Sequence, residues 1–307
     1  MENVLAILLA GGAGERLYPL TQSTAKPAVP FGGIYRIIDF TLSNCINSGI
    51  RRILVLTQYK ALELIRHLRD GWTILSPELG EYIEVIPPMK RIHQDWYLGT
   101  ADAVYQNIQS IAAENPQELI VLASDSIYKM DYSEMLSWHR QHKADITIAT
   151  IQMAPEEAHR FGVVEIAPDY RVIGFEEKPR HGHPPRSRFN PEMISASMGI
   201  YILNTETALR TLVEDAEHER HRAFSPGDSR KASTSRTPSP KTRPATASIS
   251  SASVRSNSTR GALSGMFTTP VARNIRVNAA RCGRSAFRGI RPPPGRKSAH
   301  ENRGESD

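Results

Sequence analysis

Cysteine is nearly absent from this 307-residue chain, which has only Cys45 and Cys282, far apart and in unlike contexts. A disulfide-built scaffold is therefore excluded, and a reducing, cytoplasmic setting is expected. No apolar run approaches the roughly eighteen residues needed to cross a bilayer, so no membrane partner is expected. The apolar stretch at 4–10 is not expected to act as a secretory leader, because Met1-Glu2-Asn3 brings no basic charge ahead of it and the run is short. Charge of one sign is also scarce in most of the chain. The net charge of +6 arises from 38 Lys and Arg against 32 Asp and Glu, yet about eighteen of the basic residues and only about five acids lie after residue 217. The remainder is mildly acidic, so the basic balance is not a nucleic-acid footprint, and the tail lacks the interleaved aromatics on which single strands stack.

What is present centres on the first thirty residues. Residues 4–9 form a short, almost wholly apolar run, as expected of a strand buried on both faces of a parallel sheet. Gly11, Gly12 and Gly14 follow at once, and without side chains they let several backbone N–H groups approach an anion. Arg16 and Lys26 supply positive charge. A P-loop requires Lys then Ser or Thr where Arg16 and Leu17 stand, and a dinucleotide fingerprint requires glycine at Leu17, so both readings fail. A ligand-free tight turn from strand to helix is the plain alternative.

The rest of the first 160 residues alternates strand and helix patterns. Helices are expected at 41–48, 59–69, 100–114 and 132–142, and strands at 53–56, 83–86, 119–123 and 146–151. In the second helix Ala61, Ile65 and Leu68 share a face; in the third, Thr100 is the expected N-cap, with Asp102 in the first turn. This order predicts an α/β fold with a doubly wound, mostly parallel sheet, whose ligands sit beyond the carboxyl ends of the strands. Gly11 and Asp125 both fall there. Shorter strands at 163–166, 172–176 and 197–203 and a helix from 205 follow. The reading divides the chain into a domain at 1–217 and a Ser-, Arg- and Pro-rich tail at 218–307, expected to be disordered because it has too little apolar surface to offset chain entropy. Such an abrupt switch is also what GC-rich coding DNA yields when translated out of frame.

The pattern Gly11-Gly12-x-Gly14-x-Arg16-Leu17-x-Pro19-Leu20-Thr21, with Lys26-Pro27, resembles the signature of the sugar-nucleotide pyrophosphorylases. The stretch 31–50, beginning Phe-Gly-Gly-Ile-Tyr-Arg-Ile-Ile-Asp-Phe, resembles their ADP-glucose branch. The likeness covers about residues 1–215 and implies a Rossmann-like nucleotidyltransferase domain, shorter than the family's. It also implies glucose-1-phosphate adenylyltransferase chemistry in glycogen or starch synthesis: ATP and glucose 1-phosphate as partners, Mg²⁺ as cofactor, ADP-glucose and pyrophosphate as products. The alternatives are another sugar nucleotide, or a fragment that binds nucleotide without turnover.

Site residues follow from the same likeness. Arg16, Lys26 and Asp125 are the expected catalytic groups, with Asp125 also the metal ligand; a turn-capping role is its alternative. Ser124-Asp125-Ser126 replaces the family's usual Gly-Asp-His. Gly11, Gly12, Gly14, Gln58, Trp96, Gly99 and Thr100 are expected on the ATP side. Tyr97, Glu177, Lys178 and Ser197 are expected on the sugar-phosphate side, although an isolated Glu-Glu-Lys also reads as a solvated charge run. A second metal-binding aspartate and a β-helix domain of the family have no counterpart here. Ala13 and Ser23 stand where many relatives are basic, and with no β-helix domain expected either, the resemblance does not carry over the family's allosteric control or its tetramer.

Overall fold

The computed structural model describes residues 3–11, 14–58, 60–87, 97, 99–180, 184–223 and 275–279. β1 (Val4–Ala10) leads through 3₁₀ turns at Glu15–Leu17 and Lys26–Ala28 to a small hairpin, β2 (Pro30–Phe31) and β3 (Tyr35–Arg36), and then to α1 (Ile37–Asn47). β4 (Arg52–Thr57), α2 (Leu62–Gly71), β5 (Tyr82–Ile86), α3 (Thr100–Gln106), α4 (Ile108–Ala113), β6 (Glu118–Ala123), α5 (Tyr132–Gln141) and β7 (Ile146–Met153) continue the alternation. β8 (Gly162–Ile166), β9 (Val172–Glu177), β10 (Ile194–Asn204), α6 (Thr205–Ala223) and β11 (Ile275–Ala279) complete the described elements.

The main sheet runs β11-β7-β10-β6-β1-β4-β5, with β8 paired to β10 and β9 to β8. β1 is parallel to both β4 and β6, and β4 to β5, whereas β10 is antiparallel to β6 and β7. Side-chain alternation along β1 explains its unbroken apolar run. Leu5 and Ile7 join Val104, Ile111 and Leu212 of α3, α4 and α6 on one face. Val4, Ala6 and Leu8 join Ile38, Leu42, Leu64, Leu68 and Met135 of α1, α2 and α5 on the other. Each such Leu or Ile contributes about 1.5–3 kcal/mol by leaving water, so both faces of the central strand are committed to core.

Several elements differ from expectation for local reasons. The helix expected at 100–114 is interrupted at Asn107, whose amide donates to the Ala103 carbonyl at 2.8 Å and to the Tyr97 hydroxyl at 3.0 Å. Its N-cap is Gly99, with no side-chain capping bond, and Thr100 is the first helical residue. In α2 the buried positions are Leu64 and Leu68, while Ile65 is exposed. α1 begins four residues earlier than expected because the Asp39 carboxylate accepts the Arg36 N–H at 2.8 Å and so caps it. Beyond residue 217, α6 continues to Ala223, and Ile275–Ala279 pairs in parallel with β7.

Candidate active site

The glycine loop is shaped by close packing. Gly14 has φ 62°, and its carbonyl accepts from the Leu17 N–H and the Thr21 hydroxyl, both at 2.9 Å. A Cβ on Gly14 would stand 2.8 Å from Thr21 Cγ2 and 3.0 Å from Lys26 Cβ. The loop thus folds back on the turn that carries the lysine, which leaves no room for a side chain at Gly14. A Cβ on Gly11 would meet Gln58 Oε1 at 2.7 Å, so that glycine is the floor for an amide. Gln58 in turn donates to the Tyr97 carbonyl at 3.1 Å, tying the loop after β4 to the approach to α3. Gly12 and Trp96 lie outside the described residues.

Charge meets beyond the carboxyl ends of two adjacent strands, β1 and β6. Lys26 and Asp125, separated by 99 positions, form an ion pair at 2.9 Å. Asp125 follows β6, where Ser124 donates its hydroxyl to the Leu9 carbonyl at 2.7 Å and so binds the end of β6 to that of β1. Asp125 Oδ1 accepts the Ser126 hydroxyl at 3.4 Å, and the Asp125 side chain is 42% exposed. Arg16, in the first 3₁₀ turn, is exposed. Among the described residues, no three His, Cys, Asp or Glu side chains cluster as a metal cage. Asp125 offers a part-exposed carboxylate there, an oxygen donor of the kind that Mg²⁺ takes.

The second charged pair is on the β8–β9 hairpin. Lys178 Nζ donates to Glu177 Oε1 at 2.7 Å, and the Lys178 backbone N–H to the Phe161 carbonyl at 3.0 Å. Lys178 adopts φ 48°, a left-handed conformation that costs a non-glycine residue about 1–3 kcal/mol and recurs at functional sites. Sheet register links this pair to Asp125. Glu176 faces Val163, Val163 faces Ala196, and a Cβ on Gly199 would touch Ala123 Cβ at 3.3 Å, two residues before Asp125. Ser197 lies between them, at the irregularity in β10, with its hydroxyl 3.2 Å from the Tyr201 hydroxyl.

Two residues belong to this arrangement without having been expected there. Burial, opposed by the Ser197 hydrogen bond and assisted by the Glu177 charge, pushes the Tyr201 phenol up to about 12, so it stays protonated as a support for Ser197. Gly162 faces Glu177 across the hairpin, and a Cβ there would stand 2.5 Å from Phe175 Cζ and 3.1 Å from Glu177 Oε2. Neither has a local sequence signal; both roles arise from strand register. Tyr97 is buried with its hydroxyl held by Asn107, and Thr100 opens α3 beside Gly99.

A family model described as nucleotidyl transferase matches residues 5–233. The chain belongs to that family. The glycine loop, the Lys26–Asp125 pair and the strands from β4 to β10 lie within the matched region. The chain is 58% identical over 218 residues to a glucose-1-phosphate adenylyltransferase of Koribacter versatilis, covering 71% of this chain and 52% of the relative. It is 52% identical over 220 residues to glucose-1-phosphate adenylyltransferase 2 of Vibrio cholerae, covering 72% and 54%. A third relative, the glucose-1-phosphate adenylyltransferase of Rhodopirellula baltica, is 49% identical over 217 residues, with 70% and 48% covered. The chain spans about half the length of these curated relatives.

Proposed function

We propose that this nucleotidyl transferase chain joins ATP and α-D-glucose 1-phosphate to give ADP-glucose and pyrophosphate. The observation that carries the proposal is the meeting of Lys26 and Asp125 beside a glycine loop, at the carboxyl ends of adjacent parallel strands. The names of the relatives support the choice of nucleotide and sugar.

A phosphate oxygen of glucose 1-phosphate attacks the α-phosphorus of ATP, the bond to the β,γ-phosphates breaks, and pyrophosphate carries away the electron pair. The second pKa of a phosphate monoester is about 6, so the nucleophile is already anionic at neutral pH and needs no general base. The protein's task is to gather and neutralise crowded negative charge. Backbone N–H groups around Gly11 and Gly14 receive the triphosphate, while Arg16 and Lys26 offset its charge. Lys178 holds the sugar phosphate, and Glu177 and Ser197 accept or donate to sugar hydroxyls. Gln58 walls the nucleotide side, and Tyr97 stands on the sugar-phosphate side. Mg²⁺, when bound through Asp125, supplies positive charge to the phosphates.

The test is pyrophosphate release by the purified chain with Mg²⁺, ATP and glucose 1-phosphate, repeated with other nucleoside triphosphates and sugar 1-phosphates. Turnover that requires ATP and glucose 1-phosphate and disappears in Asp125→Ala supports the proposal. A stronger response to another pair reassigns the substrates. ATP binding without turnover leaves nucleotide binding as the function of this chain.

A further inference from the structure

Asp39 is 2% exposed yet carries a carboxylate, and all of its described hydrogen-bond partners are donors. Its two oxygens serve different elements. Oδ1 receives the Trp72 indole N–H at 2.8 Å and lies 2.7 Å from His67 Nε2, both from the α2 side. Oδ2 accepts the backbone N–H of Arg36 at 2.8 Å, at the start of α1. The Arg36 guanidinium then donates to the carbonyl of Ala28, the last residue of the 3₁₀ turn that begins with Lys26. The turn is also held by backbone bonds, from Ala28 N–H to Ala25 O at 2.9 Å, Val29 N–H to Lys26 O at 3.1 Å, Ala25 N–H to Lys60 O at 3.3 Å and Ile37 N–H to Val29 O at 3.2 Å, and Arg36 adds a side-chain clamp to them.

We infer that Asp39 is a positioning residue for Lys26. Its Oδ2 fixes the Arg36 backbone, Arg36 clamps the Ala28 carbonyl, and the clamped turn aims Lys26 at Asp125. Oδ1 anchors α2, which packs beside the turn, and Oδ2 is the oxygen that reaches Arg36. The carboxylate never reaches substrate; it acts through Arg36. The kinetic part of this inference rests on the reading of Lys26 as a phosphate-neutralising group, whereas the conformational part does not.

The division between the two oxygens makes the inference testable with matched variants. Asp39→Asn retains one acceptor, which satisfies the two α2 donors and turns its amide N–H₂ against the Arg36 N–H. Trp72→Phe removes a donor from Oδ1 and leaves Oδ2 intact. Arg36→Met keeps the aliphatic stem and deletes the clamp on Ala28, which guards against Asp39→Asn failing to fold. Hydrogen exchange of the 25–29 amides and steady-state kinetics are measured on all three in the full chain. Asp39→Asn and Arg36→Met should speed exchange at 25–29 and lower kcat by about tenfold or more, with the glucose 1-phosphate KM little changed. Trp72→Phe should lower the unfolding midpoint while leaving kcat and the 25–29 exchange near wild type. Equal effects of Trp72→Phe and Arg36→Met on that exchange, or unaltered exchange in Arg36→Met, would overturn the inference. If the wild-type chain has no turnover, the proposed function fails on its own, and the exchange comparison still decides whether Asp39 positions the turn.

Discussion

Replacing Gly14 by Ala isolates how tightly the glycine loop is packed, because Gly32 provides a matched control. Both have φ of +62°, but nothing lies within 4 Å of a Cβ on Gly32, whereas one on Gly14 meets Thr21 and Lys26 at 2.8 and 3.0 Å. The left-handed conformation costs an alanine about 1–2 kcal/mol, partly offset by the reduced entropy of the unfolded chain, leaving Gly32→Ala at a cost of about 1 kcal/mol. Gly14→Ala bears the same cost plus overpacking of about 1–3 kcal/mol, since Lys26 Cβ is fixed by its own backbone and cannot swing aside. With a urea slope of about 1–3 kcal/mol/M, the midpoint should fall roughly 1 M further for Gly14→Ala than for Gly32→Ala. Urea unfolding followed by circular dichroism provides the comparison, and the Gly14 variant should also weaken binding of ATP. Coincident midpoints for the two variants would refute the packing argument.

Lys178→Ala should raise the glucose 1-phosphate KM by about tenfold to a hundredfold, the value of a lost charge-assisted hydrogen bond, with the ATP KM much less affected; a parallel rise in both would remove Lys178 from the sugar side. Burial, the leading cause, depresses the His139 imidazole to about 4, and its Nδ1 lies 2.8 Å from the Thr147 hydroxyl. A histidine whose folded pKa lies below its unfolded value near 6.5 gives stability that is full above pH 6.5 and is lost as pH falls toward 4. The full difference is about 3 kcal/mol, so unfolding midpoints measured from pH 7 to pH 4 should decline more steeply in wild type than in His139→Gln; equal slopes would contradict the assignment.

The central strands were legible because residues buried on both faces leave unbroken apolar runs, as at 4–9 and 119–123. Helix phase was less so. Ile65 and Leu64 are equally apolar, and only the placement of α2 against α1 and the sheet selects Leu64 for the core. The interruption at Asn107 depends on the Tyr97 hydroxyl ten residues away, which no helical period contains. At the site, Gly11 and Asp125 follow closely on β1 and β6, whose ends their apolar runs had marked. Gly162 and Tyr201 were hidden because their roles depend on facing Glu177 and supporting Ser197 across strands. Asp39 was hidden for another reason: an acid in a first helical turn usually signals only complementarity to the helix dipole, and its second oxygen is engaged from 33 residues away.

β10 lies between β6 and β7, although it follows both in the chain and runs opposite to them. During synthesis, the two earlier strands therefore have no lateral contact with each other and each presents a bare edge. Closing the middle of the sheet waits for residues 194–204, the last of which is Asn204. Until then the chain carries two unsatisfied templates for pairing with other molecules, the condition in which nascent sheets aggregate. A strand that comes late in the order of manufacture is thus the keystone of the sheet, and any stop short of it leaves an arch without a crown.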